Sequence, residues 1–217
     1  MNKYKSYLWA MLSLLTFALV SCDETESYNA FDNWQARNVE YITNIKDQAL
    51  ANAEGNWLII KDYNYSRDDS TTMFNGNVAQ YVYAQSLIKG EGTSSPLFTD
   101  SIYVSYSGEI MPYVDEDGNT DTTVFQKTFY ANPEDLFVKQ TDTTTIKTLA
   151  PTKMAIAGLT SGFASAVLHM HKGDVWKVYI PYQLGYGSTE KTSIPAYSTL
   201  IFYIYLQGFG ATLPDWR

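Results

Sequence analysis

The sequence predicts an α+β fold in which an antiparallel sheet packs against one short helix. Residues 78–87 alternate as a half-buried strand does, and residues 101–108, 175–180 and 199–206 are further strand-like runs. One short segment, residues 161–169, instead places Phe163, Val167 and Met170 on one face at helical spacing. Many strands with one central helix are typical of a sheet that is covered by a helix on one face. The predicted strands are residues 57–60, 78–87, 101–108, 175–180 and 199–206.

The N-terminus is similar to the signal sequence of bacterial lipoproteins. Lys3 and Lys5 precede an apolar run over residues 7–20, which is shorter than the ~20 residues that span a bilayer. The run ends in Leu19-Val20-Ser21-Cys22, which resembles a lipobox, so we expect cleavage after residues 1–21 and lipidation of Cys22. Cys22 is the single cysteine of the chain, which excludes an internal disulfide and suits an oxidising compartment.

The charge of the chain argues against polyanionic partners. The formal net charge is −8, and loss of the two signal lysines without any acid makes the mature chain two units more negative. Nucleic acid binding needs a basic face, so it is excluded, and the acyl chains alone would hold the protein on a membrane. We therefore expect a lipid-anchored protein of the bacterial cell envelope, at the periplasmic or surface face of the outer membrane. Asp23, Glu24 and Glu26 form either a surface-export signal or a solvated part of the tether.

An N-terminal extension over residues 31–89 follows a polar tether at residues 22–30. A helix is predicted to begin near Asp32, which can cap it, and to end at Gly55. Its apolar residues share one face, which predicts packing against the rest of the chain or, as an alternative, a homodimer contact. In the strand over residues 78–87, Tyr81, Tyr83 and Leu87 share one face. The apolar helix residues are Trp34, Tyr41, Ile42, Ile45 and Ala49.

The segments between the later strands are polar. Residues 115–121 are rich in Asp, Gly and Asn and predict a turn. Residues 131–150 are rich in Thr and predict an insertion, and residues 210–217 form a C-terminal tail.

A series of short motifs over residues 162–206 gives the chain a recognisable family resemblance. Upstream of them lie Val104-Ser105-Tyr106-Ser107-Gly108 and Phe125. Together they resemble the FKBP-type peptidyl-prolyl cis-trans isomerases over residues 90–209, and with Cys22 the bacterial lipoprotein subgroup. The motifs are Gly162-Phe163, Met170, Lys172-Gly173-Asp174, Trp176-Lys177-Val178-Tyr179-Ile180-Pro181, Leu184-Gly185-Tyr186-Gly187, Ile194-Pro195 and Ser198-Thr199-Leu200-Ile201-Phe202.

The resemblance implies a bent antiparallel sheet wrapping a short helix, with an apolar active-site cleft between them. Phe163 would form the cleft floor, Tyr186 would offer its hydroxyl to a substrate carbonyl, and Thr160 would offer its backbone N–H. Leu159, Thr160 and Gln126 would contact the substrate. The residues implied to act in isomerisation are Tyr106, Phe125, Phe163, Tyr186, Ile194 and Phe202.

Several cleft positions depart from the family pattern. Gln126 stands where the family usually has Asp, and Leu159-Thr160 stands where it usually has Val-Ile. A further wall aromatic is replaced near Thr152 or Met154. The neighbouring insertion could cover the cleft or supply a substitute such as Phe137.

An apolar cleft is sufficient for this chemistry. The X–Pro bond is planar because of resonance, and rotation about a peptide bond has a barrier of ~18–20 kcal/mol. The twisted transition state has lost the resonance and its charge separation, so an apolar cleft binds it more tightly than it binds the planar amide. No nucleophile, metal or cofactor is required, which makes the aromatic residues informative.

Other chemistry is less well supported by the sequence. His169 and His171 are the only histidines, and a zinc site needs three or four ligands. A calcium loop at residues 115–121 would have its Gly at the fourth place rather than the sixth, and a turn explains the same residues. No nucleophile-elbow pattern surrounds any Ser. We therefore expect a prolyl isomerase acting on proline-containing polypeptides, or else a non-catalytic module that binds a proline-containing peptide or partner protein in the same cleft.

Overall fold

The computed structural model describes residues 28–65, 76–138 and 144–210. The signal segment, Cys22, most of the tether, part of the insertion and nearly all of the C-terminal tail lie outside these ranges. The described helices are α1 (Trp34–Ala51), α2 (Pro133–Phe137), α3 (Thr144–Lys147) and α4 (Ser161–Val167). The described strands are β1 (Trp57–Lys61), β2 (Tyr81–Ile88), β3 (Ser101–Ile110), β4 (Tyr113–Val114), β5 (Thr120–Asp121), β6 (Val124–Lys127), β7 (Thr152–Ala155), β8 (Val175–Ile180) and β9 (Leu200–Phe209).

Seven strands form one antiparallel sheet. Their order is β1-β2-β8-β9-β3-β6, and β7 also pairs with β3. β3 and β9 form a long pair, interrupted by one register shift between Tyr103 and Val104. β4 and β5 form a separate hairpin. The α+β class and all five predicted strands are confirmed, and the N-terminal extension contributes β1 and β2 to the same sheet.

The inner face of the sheet packs against α4. Phe163, Ala164 and Val167 of this helix are buried in the main core, where they join inward side chains such as Val178 and Ile204. α4 approaches the sheet closely at Gly162, where an added Cβ would lie 2.3 Å from a methyl carbon of Ile180. The predicted central helix is therefore confirmed, and it forms one wall of the space that the cleft occupies.

The outer face of the sheet, opposite α4, is covered at one end by α1. Ile42, Ile45 and Ala49 pack on Tyr83 and Tyr179, which project outward from β2 and β8. The packing interpretation of the apolar stripe is therefore confirmed, because this face is buried on the protein's own sheet.

α1 begins near Asp32, as predicted, but the predicted cap at Asp32 and the predicted end at Gly55 are wrong. Asn33, in the left-handed conformation with φ 51°, precedes the helix and makes no side-chain cap. The backbone N–H of Asp32 donates to Asn29 in the preceding turn, so Asp32 is not at the capping position. At the other end Asn52, with φ 41°, terminates the helix before Gly55 is reached, and its side chain accepts from the Trp57 N–H at 3.0 Å.

The insertion at residues 131–150 covers the other end of the outer face. Asn132 caps α2 by accepting from the N–H groups of Glu134 and Asp135. Phe137 is buried there, with its ring centroid 5.3 Å from that of Phe129 and 6.3 Å from that of Tyr203. Tyr203 points outward from β9, so the expectation that Phe137 replaces the missing wall aromatic is wrong. The described residues of the insertion pack on the face opposite the cleft and do not cover it.

The acidic segment at residues 115–121 forms the turn of the β4–β5 hairpin. The Asp115 carboxylate accepts from the backbone N–H of Asp117 and of Asn119, and these bonds hold the pKa of the exposed carboxyl below its ordinary value. The turn interpretation is confirmed. Separately, among the helices of the described residues, none has the length and apolarity needed to cross a membrane.

Candidate active site

The proposed cleft lies between α4 and the inner face of the sheet. β3 supplies Tyr106, β9 supplies Phe202 and α4 supplies Phe163, and all three are buried. Phe125 of β6 is half-buried and packs against the same cluster. Alternation along each strand turns these side chains inward, while their neighbours face the outer side.

Four aromatic rings form a continuous cluster. Phe163 meets Phe202 with ring centroids 5.0 Å apart and planes nearly perpendicular, and Tyr106 lies 5.9 Å from Phe163. Phe125 meets Phe202 edge to face at 5.6 Å. Phe163 thus contacts the rings of both central strands. Edge-to-face contacts of this kind hold aromatic rings in defined orientations.

Gly108 gives these rings room. It lies two residues after Tyr106 on β3, and an added Cβ would lie 2.6 Å from a ring carbon of Phe202 and 2.7 Å from one of Phe125. A side chain at this position would displace the cleft aromatics.

Hydrogen-bond donors are available at the cleft. Thr160 precedes α4, and no described residue accepts from its backbone N–H. The Tyr106 hydroxyl also has no partner in the described ranges and is not sealed from solvent. Burial raises the pKa of Tyr106, and the nearby Tyr186 adds to the rise, so the hydroxyl remains a donor at neutral pH. The half-buried Tyr186 packs against the same core.

The remaining predicted substrate contacts differ in position. Leu159 is half-buried against the core cluster that contains the cleft aromatics. Gln126 follows Phe125 on β6 and is exposed, and its side chain makes no hydrogen bond to a described residue. Near the missing wall aromatic, Met154 is half-buried against the core and Thr152 is exposed.

The loop that carries Ile194 is held by α1. Ile194 is 5% exposed and joins the main core. The Trp34 indole N–H donates to Ser198 Oγ at 2.9 Å, and that hydroxyl donates to the Pro195 carbonyl at 2.6 Å. Trp34 and Ser198 are 164 positions apart, so their contact cannot be read from local periodicity. Sequence reasoning missed this support, because it assigned Trp34 only to an apolar stripe.

The described residues form neither a metal site nor a Ser-His-Asp relay. His169 Nδ1 contacts the Ser165 carbonyl at 2.8 Å, while His171 lies 3.6 Å from Asp174. The Ser165 hydroxyl donates to the buried Asp62 carboxylate at 3.0 Å, which ties the end of β1 to α4 rather than forming a Ser-His-Asp relay. Within the described ranges, no three His, Cys, Asp or Glu side chains converge as a metal site would require.

An antiparallel sheet packed on one short helix, with a cluster of aromatic side chains between them, is the arrangement that the sequence predicted for an apolar cleft. The sequence matches the family described as FKBP-type peptidyl-prolyl cis-trans isomerase over residues 92–207, more than half of the chain. The protein therefore belongs to the FKBP-type peptidyl-prolyl cis-trans isomerases.

A solved isomerase structure shares this fold. A peptidyl-prolyl cis-trans isomerase from Pseudomonas syringae pv. tomato has a TM-score of 0.51 at 15% identity, covering 85% of this chain and 99% of that one. The three FKBP domains of wheat FKBP73 have a TM-score of 0.43 at 26% identity, covering 62% of this chain and 47% of that one. The N-terminal domain of FKBP42 from Arabidopsis thaliana has a TM-score of 0.41 at 18% identity, covering 60% and 87%. No curated protein matches the sequence significantly.

Proposed function

We propose that the protein is a lipid-anchored prolyl isomerase of the bacterial cell envelope that acts on X–Pro bonds of exported polypeptides. The observation that carries the catalytic part is the neutral cluster of Tyr106, Phe163 and Phe202 beside the Thr160 N–H, which no described residue accepts. The rings provide the apolar surface that favours the twisted amide, and the donors fix the polypeptide backbone around it.

The role of each group follows from what changes during rotation. The planar amide carries charge separation that water or polar groups stabilise, and this separation is lost as the bond twists. Apolar walls therefore disfavour the ground state more than the transition state. Hydrogen bonds from Thr160 and from the Tyr186 hydroxyl to neighbouring carbonyls hold the segment without restoring the resonance of the rotating bond.

The catalytic proposal is tested with the full chain, purified in detergent, and a short X–Pro peptide. We expect isomerisation above the uncatalysed rate, which has a time constant of about 10–100 s at 25 °C. Tyr186→Phe should lower kcat/KM, while Tyr130→Phe, at a tyrosine that is 99% exposed, should not. A folded protein without activity would contradict the proposal.

A second candidate function is a non-catalytic module that holds a proline-containing peptide or a partner protein in the same cleft. The observation that favours it is Gln126, which is exposed and whose side chain makes no hydrogen bond within the described ranges. Peptide binding without turnover in the same assay would support this candidate.

The location is proposed from the N-terminal sequence. Cys22 would carry the lipid, and residues 23–30 would separate it from α1. Cys22→Ser should move the protein from the membrane fraction to the soluble fraction and abolish labelling by fatty acid. Ser27→Ala, a change of similar size in the same tether, is the control and should alter neither property. Membrane retention of Cys22→Ser would contradict a lipid anchor at this residue.

A homodimer through α1 would have to use the side of the helix that faces away from the sheet. Val39 and Leu50 are exposed there, at 41% and 51%. Sedimentation equilibrium of the full chain, with Val39→Glu as the interface variant, tests this contact. A dimer that Val39→Glu dissociates would support it, and a monomer at every concentration would exclude it.

A further inference from the structure

The rim of the cleft carries a cation that the isomerisation chemistry does not use. Lys191 lies in the loop between Gly187 and Ile194, and its ammonium nitrogen is 5.5 Å from the ring centroid of Tyr186. At this distance an ammonium interacts favourably with the ring face.

The backbone fixes the side on which Lys191 lies. Its N–H donates to the Ile194 carbonyl at 2.9 Å, and the Ile194 N–H donates back to the Lys191 carbonyl at 3.1 Å. Two residues that exchange both hydrogen bonds in an antiparallel pair direct their side chains to the same face. Because Ile194 points into the cleft cluster, Lys191 lies on the cleft side of the loop.

The charge of Lys191 is not compensated within the described ranges. It forms no salt bridge there, not even with the adjacent Glu190. None of the proposed cleft side chains is charged, so Lys191 is a cation beside a weakly polar surface. Charge interactions are stronger beside such a surface than in bulk water.

We propose that Lys191 is a specificity residue that favours polypeptide segments with an acidic residue adjacent to the proline. This inference rests on the proposed isomerase function and names its substrate class. A carboxylate next to the proline would lie near the ammonium while the proline occupies the aromatic cluster. The contact is made equally in the planar and twisted states, so it should act mainly on KM rather than on kcat.

The experiment compares matched peptides with the full chain in detergent. One pair carries Glu or Gln before the proline, and a second pair carries Glu or Gln after it. We expect kcat/KM to favour Glu by about twofold to fivefold in at least one pair, as for an exposed ion pair. Because exposed charges are screened, the preference should shrink when the ionic strength rises from about 0.02 M to about 0.5 M.

Three variants test whether Lys191 causes the preference for Glu peptides. Lys191→Gln should abolish it and Lys191→Glu should reverse it, with little change for peptides that carry Gln. The matched control is Lys153→Gln, because Lys153 also lies over a tyrosine ring, 5.6 Å from the centroid of Tyr103, which projects from the outer face of β3. This control should retain the full preference.

The outcomes separate this inference from the proposed function. Equal rates for Glu and Gln peptides, or a preference that survives Lys191→Gln, would overturn the role of Lys191 and leave the isomerase intact. If no peptide is isomerised, the proposed function fails. Fluorescence anisotropy with the same peptides, labelled, then tests the role of Lys191 in binding. Tighter binding of the Glu peptide that is lost in Lys191→Gln would support the inference. Equal binding of the Glu and Gln peptides would refute it.

Discussion

The side-chain oxygen of Asn38 accepts the backbone N–H of Thr199 at 2.6 Å, which joins α1 to the residue before β9 across 161 positions of sequence. Asn38 is fully buried, and its amide also donates to the Trp34 carbonyl at 2.8 Å. One polar side chain thus satisfies a buried N–H next to the loop that carries Ile194.

Asn38→Ala should destabilise the protein by about 1–3 kcal/mol, because it leaves the buried Thr199 N–H without an acceptor. Urea unfolding measures the loss. Thr43→Ala is the matched control on the same helix, since the Thr43 hydroxyl donates only within the helix, to the Val39 carbonyl. An equal effect of both variants would show that helix propensity, not the contact with Thr199, is responsible.

Gly108→Ala should abolish most isomerase activity and destabilise the fold by about 1–3 kcal/mol, because the new methyl group would overlap the rings of Phe125 and Phe202. Gly158→Ala is the control: nothing lies within 4 Å of its added Cβ. Activity assays and urea unfolding of both variants make the comparison. Full activity in Gly108→Ala would show that these rings do not shape the substrate site.

Tyr106→Phe separates activity from stability. Its hydroxyl has no partner within the described ranges, so the free energy of unfolding should change by less than about 0.5 kcal/mol. If the hydroxyl donates to the substrate, kcat/KM should fall roughly threefold to tenfold, as for one lost hydrogen bond. Tyr205→Phe, a tyrosine that packs against the insertion, should leave kcat/KM unchanged. An unchanged rate in Tyr106→Phe would remove this hydroxyl from the mechanism.

Glu109 should make stability depend on pH. Burial raises the pKa of its carboxyl, Lys177 opposes the rise and Glu134 adds to it. The native state therefore holds this proton at pH values where the unfolded chain, with a pKa of about 4.3, has released it. The free energy of unfolding must then fall as pH rises through that window.

Glu109→Gln removes the carboxyl that causes this loss of stability at high pH. The variant should be more stable than the parent at pH 7, and the difference should shrink as the pH approaches about 4, where both unfolded and native carboxyls gain protons. Urea unfolding across this range measures it. In the control Glu134→Gln, the carboxylate that accepts from the Tyr203 hydroxyl and lies 3.4 Å from Lys177 is lost, so stability at pH 7 should fall. A parent more stable than Glu109→Gln at pH 7 would contradict the prediction.

The strand-like runs predicted the sheet well because inward and outward side chains alternate along most of each strand, apart from the register shifts such as the one between Tyr103 and Val104. The motifs around Phe163, Tyr186 and Phe202 predicted the family because they lie in a segment whose spacing is set by α4, β8 and β9. The resemblance also placed Tyr106 and Phe125, which the structure brings to the same ring cluster.

Two features were not predictable from the sequence: which residues end α1, and where the insertion packs. Asn33 and Asn52 end α1 through left-handed backbone conformations that Asn tolerates, whereas capping rules pointed to Asp32 and Gly55. The nearness of the insertion to the cleft wall in sequence suggested Phe137 as one substitute for the missing wall aromatic. Its ring instead fills the outer surface beside Tyr203, which only the three-dimensional path of the insertion could decide.

The pairing of β2 with β8 limits where the chain can be divided. The family match begins at residue 92, yet Tyr83 and Ala84 pair with Tyr179 and Val178 on the other side of that boundary. A shortened version that starts there would lack α1 and β2, would leave β8 with an open row of backbone N–H and C=O groups, and would uncover Tyr179. Exposed strand edges of this kind recruit other chains, so the fragment that looks like the minimal enzyme should aggregate when expressed.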